Sequence, residues 1–350
     1  MGDQASIKIG ILGLGGIGDT HARALAALAR SGTAVEVVTF SGGSAEQMAR
    51  AGWADARRLD AAELITDRGP DLIAICTPSA LHAGQAATAL RAGKHVVVEK
   101  PMALSVEDAR ELRDLAADRQ LLISPIAQRR FEPLNVELKE LIDSGRLGRV
   151  VLGETFVHWF RSDAYYAEVP WRGEPMGGGG SLMNQGLHNV DLLCWLLGDV
   201  RTVTGATATL GHRIAVEDTA VGCLQFAGGA LGVVATTTAT PPGVPSELAI
   251  WTTTGSVRLD QNGITGWEFA DVDRPADPEG AVSGASDPAA IGISGHITQW
   301  ADVIEALSTG RPPMITADDG VQTVAVLDGI YRAADTGVAV DTSGAQTETS

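Results

Sequence analysis

The 350-residue chain is short of lysine: only Lys8, Lys94, Lys100 and Lys139 occur, against 22 arginines. Basic residues of both kinds number 26 against 43 acidic ones, for a net charge of −17. A nucleic-acid partner requires a basic footprint that neutralises phosphates. The longest basic clusters are the pairs Arg57-Arg58 and Arg129-Arg130, so no nucleic-acid partner is expected. Cysteine is equally scarce. Cys76, Cys194 and Cys223 are odd in number, far apart and without a CxxC pair. That excludes a disulfide framework and any cysteine metal spacing, and no metal is expected. No apolar run reaches the roughly 18 residues of a membrane span, so no membrane partner is expected. No basic segment with a small-residue cleavage site opens the chain, and the expected location is the cytoplasm.

What is present suits a packed protein. Hydrophobic residues make up 45% and charged residues 20%, which excludes disorder as the main state. The 42 glycines follow no triplet period, which excludes a collagen-like fibre. The length suggests about two domains.

Strand-like runs IKIGIL (7–12), AVEVVTF (34–40), DLIAICT (71–77), HVVVEK (95–100) and LLISPI (121–126) alternate with helical stretches. The helices are expected near 20–30, 44–51, 60–67, 81–92 and 105–119, the last capped by Ser105 with Asp108 three residues on. This alternation predicts an α/β unit, a doubly wound parallel sheet over residues 1–126. The character then changes. A helix is expected over 134–144, followed by longer strands over 149–160, 201–210, 219–226, 230–238, 246–253 and 256–260. Turns such as Ala227-Gly228-Gly229 make these read as antiparallel. Helices are expected over 184–197, 296–308 and 320–336, with a loop over 271–294 and a polar tail over 341–350. Residues 127–345 therefore read as an α+β domain built on a broad open sheet.

Four motifs carry chemistry. Gly13-Leu14-Gly15-Gly16-Ile17-Gly18 follows the first strand and opens a helix. Gly13 permits the tight turn, Gly15 a close approach to a pyrophosphate, and Gly18 close packing of helix on strand. The helix N-terminus adds N–H groups and a positive dipole end for phosphates. The second strand ends Thr39-Phe40-Ser41-Gly42-Gly43, with no acid to hold a ribose 2′-hydroxyl. A 2′-phosphate meets no repulsion there, which leans slightly to NADP over NAD; alternatively Ser41 contacts the two hydroxyls of NAD. Glu99-Lys100-Pro101 ends a parallel strand, where ligands of such sheets bind. A lysine ammonium can stabilise a developing alkoxide or pass a proton; on its own Lys100 could equally be a surface residue. Finally, in Gly177–Asp191, GGGGSLMNQGLHNVD, Asn184 and His188 are four apart and would share one face of an α-helix. Histidine is the usual acid–base group near neutral pH, although His188 could instead be packed and satisfied by Asp191.

Together these segments resemble the glucose-fructose oxidoreductase / inositol dehydrogenase family, Gfo/Idh/MocA. The resemblance runs through CTPSALH (76–82), AGKHVVVEKPMALS (92–105), QRRFEP (128–133), SGRLG (144–148), WRG (171–173) and HITQWADVIEALSTGRPP (296–313). It implies a Rossmann domain, then an α+β domain whose open, mostly antiparallel sheet forms homodimers or homotetramers. It also implies a bound NAD or NADP and a small carbohydrate-like substrate: a sugar, cyclitol or derivative. By resemblance Thr77, Pro78, His82, Glu99, Lys100, Trp171 and Arg172 lie at the cofactor, beside Gly13 to Gly18 and Ser41. Lys100, Arg172, Asn184, His188, Tyr166 and His296 are substrate contacts, the last two with ordinary packing as the alternative. Many members carry aspartate where this chain has Asn184. An amide can hold a hydroxyl but cannot take its proton, and loss of a carboxylate lowers the lysine pKa. The expected reaction is hydride transfer between the nicotinamide and a secondary hydroxyl or ketone. Lys100 stabilises the alkoxide, His188 is the base and Asn184 orients the hydroxyl. The alternatives are an NAD-dependent redox-neutral glycosidase and a non-catalytic nucleotide or sugar sensor.

Overall fold

The computed structural model describes residues 6–277 and 293–343. Most of the expected 271–294 loop and of the 341–350 tail lies outside them. In chain order the elements begin with β1 (Ile7–Leu12), α1 (Gly16–Arg30), β2 (Val35–Ser41), α2 (Ala45–Ala51), β3 (Arg57–Arg58) and α3 (Ala61–Thr66). Next come β4 (Leu72–Ile75), α4 (His82–Arg91), β5 (His95–Val98), α5 (Val106–Arg119), β6 (Ile123–Pro125) and α6 (Pro133–Asp143). Then follow β7 (Val150–His158), α7 (Asp163–Glu168), α8 (Leu187–Leu197), β8 (Val200–Ala208), β9 (Thr219–Phe226) and β10 (Leu231–Thr237). The last are β11 (Glu247–Thr252), β12 (Ser256–Asp260), β13 (Gly263–Trp267), α9 (Ser294–Thr309), α10 (Ala317–Thr336) and β14 (Val340–Asp341). They divide into two compact units: Met1–Gln128 with Ile293–Val321, and Arg129–Gly292 with Gln322–Ser350.

The first unit is built on a six-stranded parallel sheet in the order β3-β2-β1-β4-β5-β6. Helices cover both faces, so β4 (LIAI) and the buried Val96–Val98 of β5 are apolar rather than alternating. Ser105 caps α5 through the Asp108 N–H, as expected, and Ser44 caps α2 through the Gln47 N–H. The strand order reverses beside β1, which has β2 on one side and β4 on the other. Sheets of this kind open a crevice at that point, at the carboxyl ends of the strands. Helix α9 belongs to this unit rather than only to the later one. Trp300, Val303 and Ile304 enter the core formed by Ile9, Leu25, Leu28 and Val97. Its apolar stripe is complementary to α1, a relation sequence order does not reveal.

The second unit is an eight-stranded sheet in the order β13-β12-β11-β7-β10-β9-β8-β14. Every neighbouring pair is antiparallel except β7 with β10. Helix α8 packs on β7 at Gly153, where an added Cβ would meet Leu197 at 2.5 Å and Leu193 at 2.8 Å. The helix expected over 184–197 is two structures. Ser181–Gly186 form a π-helical turn, and α8 begins at Leu187. Such a turn takes in extra backbone and commonly marks functional sites. Asn184 lies in it and His188 in α8, so the one-face argument for an α-helix does not carry over.

Candidate functional site

The glycine turn has the geometry its chemistry needs. Gly13 sits at φ 99° in the left-handed region, with its N–H 3.2 Å from Ser41 Oγ. The Ser41 carbonyl accepts from the Leu14 N–H at 2.8 Å, tying the turn to the end of β2. A Cβ on Gly18 would lie 2.3 Å from the Gly13 carbonyl oxygen, so the helix fits only without one. A Cβ on Gly15 or Gly16 meets nothing within 4 Å. No side chain caps α1 at Gly15. The turn therefore presents a helix N-terminus to open space, and that fits a dinucleotide pyrophosphate.

Further residues named from the sequence line the carboxyl ends of β4 and β5. Thr77 donates its hydroxyl to Gln85 Oε1 at 2.6 Å, and Pro78 precedes a 3₁₀ turn, Ser79–Leu81. His82 has each ring nitrogen within hydrogen-bond distance of a backbone carbonyl. Nδ1 is 2.7 Å from the Pro101 oxygen and Nε2 is 2.8 Å from the Thr77 oxygen. It braces the two loops that bear Thr77 and Lys100. Burial pushes its imidazole below the ordinary value. The Lys100–Pro101 peptide is cis. Burial also lowers the Lys100 ammonium, opposed by the charge of Glu99.

Beneath Lys100 is a cluster that no local pattern announced. His21 Nε2 is 2.9 Å from Glu99 Oε1, and the Trp300 indole N–H donates to His21 Nδ1 at 2.8 Å. His21 and Trp300 are each 1% exposed and Glu99 6%. The Lys100 N–H donates to Glu99 Oε2 at 3.1 Å. His296 stands edge-on to His21, with Nε2 3.9 Å from Glu99 Oε1. Both of its ring nitrogens are buried without a hydrogen-bond partner, and burial pushes the imidazole down to about 4. Burial opposes a charge on Glu99, yet the hydrogen bond from His21 and the charge of Lys100 hold its carboxyl below the usual range. His21, Glu99 and His296 each bring a ligand atom within 4.8 Å of the others. Their hydrogen bonding does not suit a metal. Because Nδ1 of His21 accepts from Trp300, Nε2 carries the hydrogen and has no lone pair for an ion.

The second unit carries the other named residues. Arg172 lies over the Tyr165 ring at 4.0 Å and donates to the Tyr165 carbonyl, while Trp171 precedes it in a short 3₁₀ turn. Tyr166 is 7% exposed with its hydroxyl 2.7 Å from Thr238 Oγ1. Tyr165 is the more available ring: its hydroxyl accepts from Gln185 at 3.0 Å, and Arg161 lies 5.5 Å from it. Asp191 is buried on α8. Its carboxylate takes two bonds from Arg130, at 2.7 and 3.0 Å, and one from Thr323. Asn184 rides on the π turn, whose head is gripped by a buried carboxylate. Glu217 Oε1 accepts from the Leu182 N–H at 2.8 Å and from Tyr331 Oη at 3.0 Å. Burial outweighs these donors and pushes Glu217 up to about 7.

Comparison with known proteins agrees with this fold. Residues 7–126 match the oxidoreductase family, NAD-binding Rossmann fold, and residues 135–258 match the GFO/IDH/MocA C-terminal domain. The WlbA dehydrogenase of Bordetella pertussis, solved with NADH and UDP-GlcNAcA, is 32% identical with a TM-score of 0.83. That match covers 96% of this chain and 98% of the other. The NAD⁺-dependent scyllo-inositol 2-dehydrogenase of Bacillus subtilis is 27% identical over 73% of this chain and 74% of its own length. An oxidoreductase of Schizosaccharomyces pombe is 35% identical, but the match spans only 46% of this chain and 43% of that protein. The chain belongs to the Gfo/Idh/MocA family of oxidoreductases.

Proposed function

We propose that this protein transfers a hydride between NAD(P) and a secondary hydroxyl or ketone of a carbohydrate-like substrate. One observation carries the reading. The open glycine turn and the Glu99-Lys100 pair follow the carboxyl ends of β1 and β5 in one parallel sheet. Gly13 to Gly18 would hold the pyrophosphate, Ser41 the adenosine ribose, and Thr77, Pro78 and Glu99 the nicotinamide half. When bound, the nicotinamide supplies the hydride chemistry. Lys100 stabilises the substrate oxygen as charge develops on it, His188 takes the hydroxyl proton and Asn184 orients the hydroxyl. His296, with two buried nitrogens awaiting partners, supplies a further polar contact. Trp171 lies against the nicotinamide.

Arg161 and Arg172 both stack on Tyr165, which supports a substrate bearing an anionic group, such as the UDP-GlcNAcA bound by WlbA. At the adenosine end, exposed Arg58 pairs in register with Phe40, one residue before Ser41. A basic side chain beside an acid-free strand end supports NADP as well as NAD. Exposed Val151, Val221, Leu231 and Trp251 on the second unit's sheet support a homodimer or homotetramer in which another copy covers them.

The test is a nicotinamide absorbance assay with NAD and NADP in both directions. Sugars, cyclitols, sugar acids and nucleotide-linked sugar acids are offered to wild type and Lys100→Ala. Turnover lost in the variant, with nucleotide binding kept, is expected. Full turnover in Lys100→Ala overturns the assignment. Bond cleavage without net cofactor change would point to a redox-neutral glycosidase, and binding without turnover to a sensor.

A further inference from the structure

We infer that Trp300 and His21 are positioning residues that keep Glu99 ionised and so set the protonation of Lys100. The inference rests on the reading of Lys100 as the proton-handling lysine. Its chain of contacts is continuous: Trp300 Nε1 to His21 Nδ1 at 2.8 Å, His21 Nε2 to Glu99 Oε1 at 2.9 Å, and Glu99 Oε2 to the Lys100 N–H at 3.1 Å.

The direction of each bond follows from donor chemistry. An indole N–H can only donate, so His21 Nδ1 must present a lone pair. The proton of a neutral imidazole then sits on Nε2 and points at Glu99. Burial lowers the His21 imidazole, but Cys76 and Glu99 together outweigh it and pull the group up to about 10. The indole decides the balance, because a second proton would have to occupy the atom that accepts from Trp300. His21 is therefore a neutral donor locked in one tautomer, and the Glu99–His21 pair keeps a full negative charge.

That charge faces Lys100. The other titratable groups around Glu99 are His296 on α9, His82 on α4 and, beyond His21, Cys76 at the end of β4. His296 and His82 are both held towards their neutral forms by burial. Glu99 is thus the uncompensated charge that raises Lys100 against its own burial. Trp300 comes from α9 and lies 200 residues beyond Lys100 in the sequence. It touches neither Lys100's backbone partner nor the glycine turn in any contact described, and acts through His21.

Each link predicts a signature. In Trp300→Phe the ring volume stays but Nδ1 loses its donor. His21 can then protonate, cancel the Glu99 charge and let the Lys100 pKa fall. In His21→Leu the buried Glu99 loses its side-chain donor and takes up a proton, with the same result. His21→Gln restores an amide donor and rescues the wild-type value. A neighbouring opposite charge moves a pKa by about one unit or more.

The experiment uses NMR on the full chain without substrate. Isotope-labelled lysine gives ε-methylene signals from only four residues, and Lys100→Arg identifies the one of interest. We expect its titration midpoint to fall by about one pH unit or more in Trp300→Phe and His21→Leu, and to return in His21→Gln. The other three lysines serve as internal references. Isotope-labelled histidine reports the tautomer in the wild-type protein, where His21 should remain Nε2–H between about pH 5 and 9. An unmoved Lys100 midpoint in folded variants overturns the inference. So does a wild-type His21 that is an imidazolium or carries its proton on Nδ1, a result that needs no variant to fold. Retained turnover in Lys100→Ala would refute the functional reading instead, and leaves these signals unchanged in meaning.

Discussion

Replacing Glu217 by glutamine should stabilise the protein above neutrality and leave it nearly unchanged in acid. Glu217 is 8% exposed and holds the head of the π turn that carries Asn184. Its carboxyl is pushed up to about 7 from the ordinary 4.5, mainly by burial. The sign follows from linkage. Below about pH 4.5 the group is protonated folded or unfolded and contributes nothing. As pH rises from there to 7, the unfolded chain releases the proton while the folded chain keeps it, so stability is lost. At about 1.36 kcal/mol per pH unit, the difference between 4.5 and 7 costs the wild type about 3 kcal/mol. Above pH 7 the loss is complete and flat. Glutamine keeps the shape and an oxygen for the Leu182 N–H but removes the charge. Urea unfolding of wild type and Glu217→Gln at a series of pH values should therefore show a stability difference that grows by about 3 kcal/mol between pH 4.5 and 8. A pH-independent difference would refute the reasoning, since Glu217 would then ionise in the fold as it does in the open chain.

Other perturbations test other parts of the structure. Arg130→Met leaves Asp191 as a buried, uncompensated charge and should cost roughly 3–5 kcal/mol in urea unfolding; a loss under about 1 kcal/mol would show the pair to be dispensable. Gly18→Ala drives a Cβ to 2.3 Å from the Gly13 oxygen, so both thermal stability and nucleotide binding should fall. Gly15→Ala meets open space, so the melting temperature should hold while fluorescence titration shows weaker NAD(P)H binding; equal affinity would place the pyrophosphate elsewhere. Ser41→Asp should weaken NADPH by about tenfold, the factor that about 1.4 kcal/mol of charge repulsion carries, while sparing NADH. An equal effect on both would remove the 2′-phosphate from this corner.

Much of the first unit was legible from local chemistry. Strands such as LIAI and the VVV of β5, buried on both faces, announce themselves by continuous apolarity. Ser105 with Asp108 marks a helix start through a bond between residues three apart. The glycine turn is equally local, since each glycine is required by its own backbone or by one neighbour. The exact course of the 181–197 segment was not legible. Its π turn depends on Glu217 and Tyr331, which are distant in sequence and reach it only in the folded sheet. Tyr166 and Tyr165 are adjacent and alike in sequence. Only packing sends one to Thr238 and leaves the other with Gln185 and two arginines.

The sequence by itself determined the parallel, doubly wound sheet, the glycine turn after β1 and the placement of Glu99 and Lys100 at a strand end. These follow from the periods of side-chain burial and from chemistry within a few residues. Tertiary structure alone decided that α9 returns to the first unit, that Trp300 fixes the tautomer of His21, and that His82 spends both nitrogens on backbone carbonyls. Those outcomes depend on which donors meet which acceptors once water is excluded. A buried nitrogen must take the partner that packing supplies, and no stretch of sequence near it names that partner.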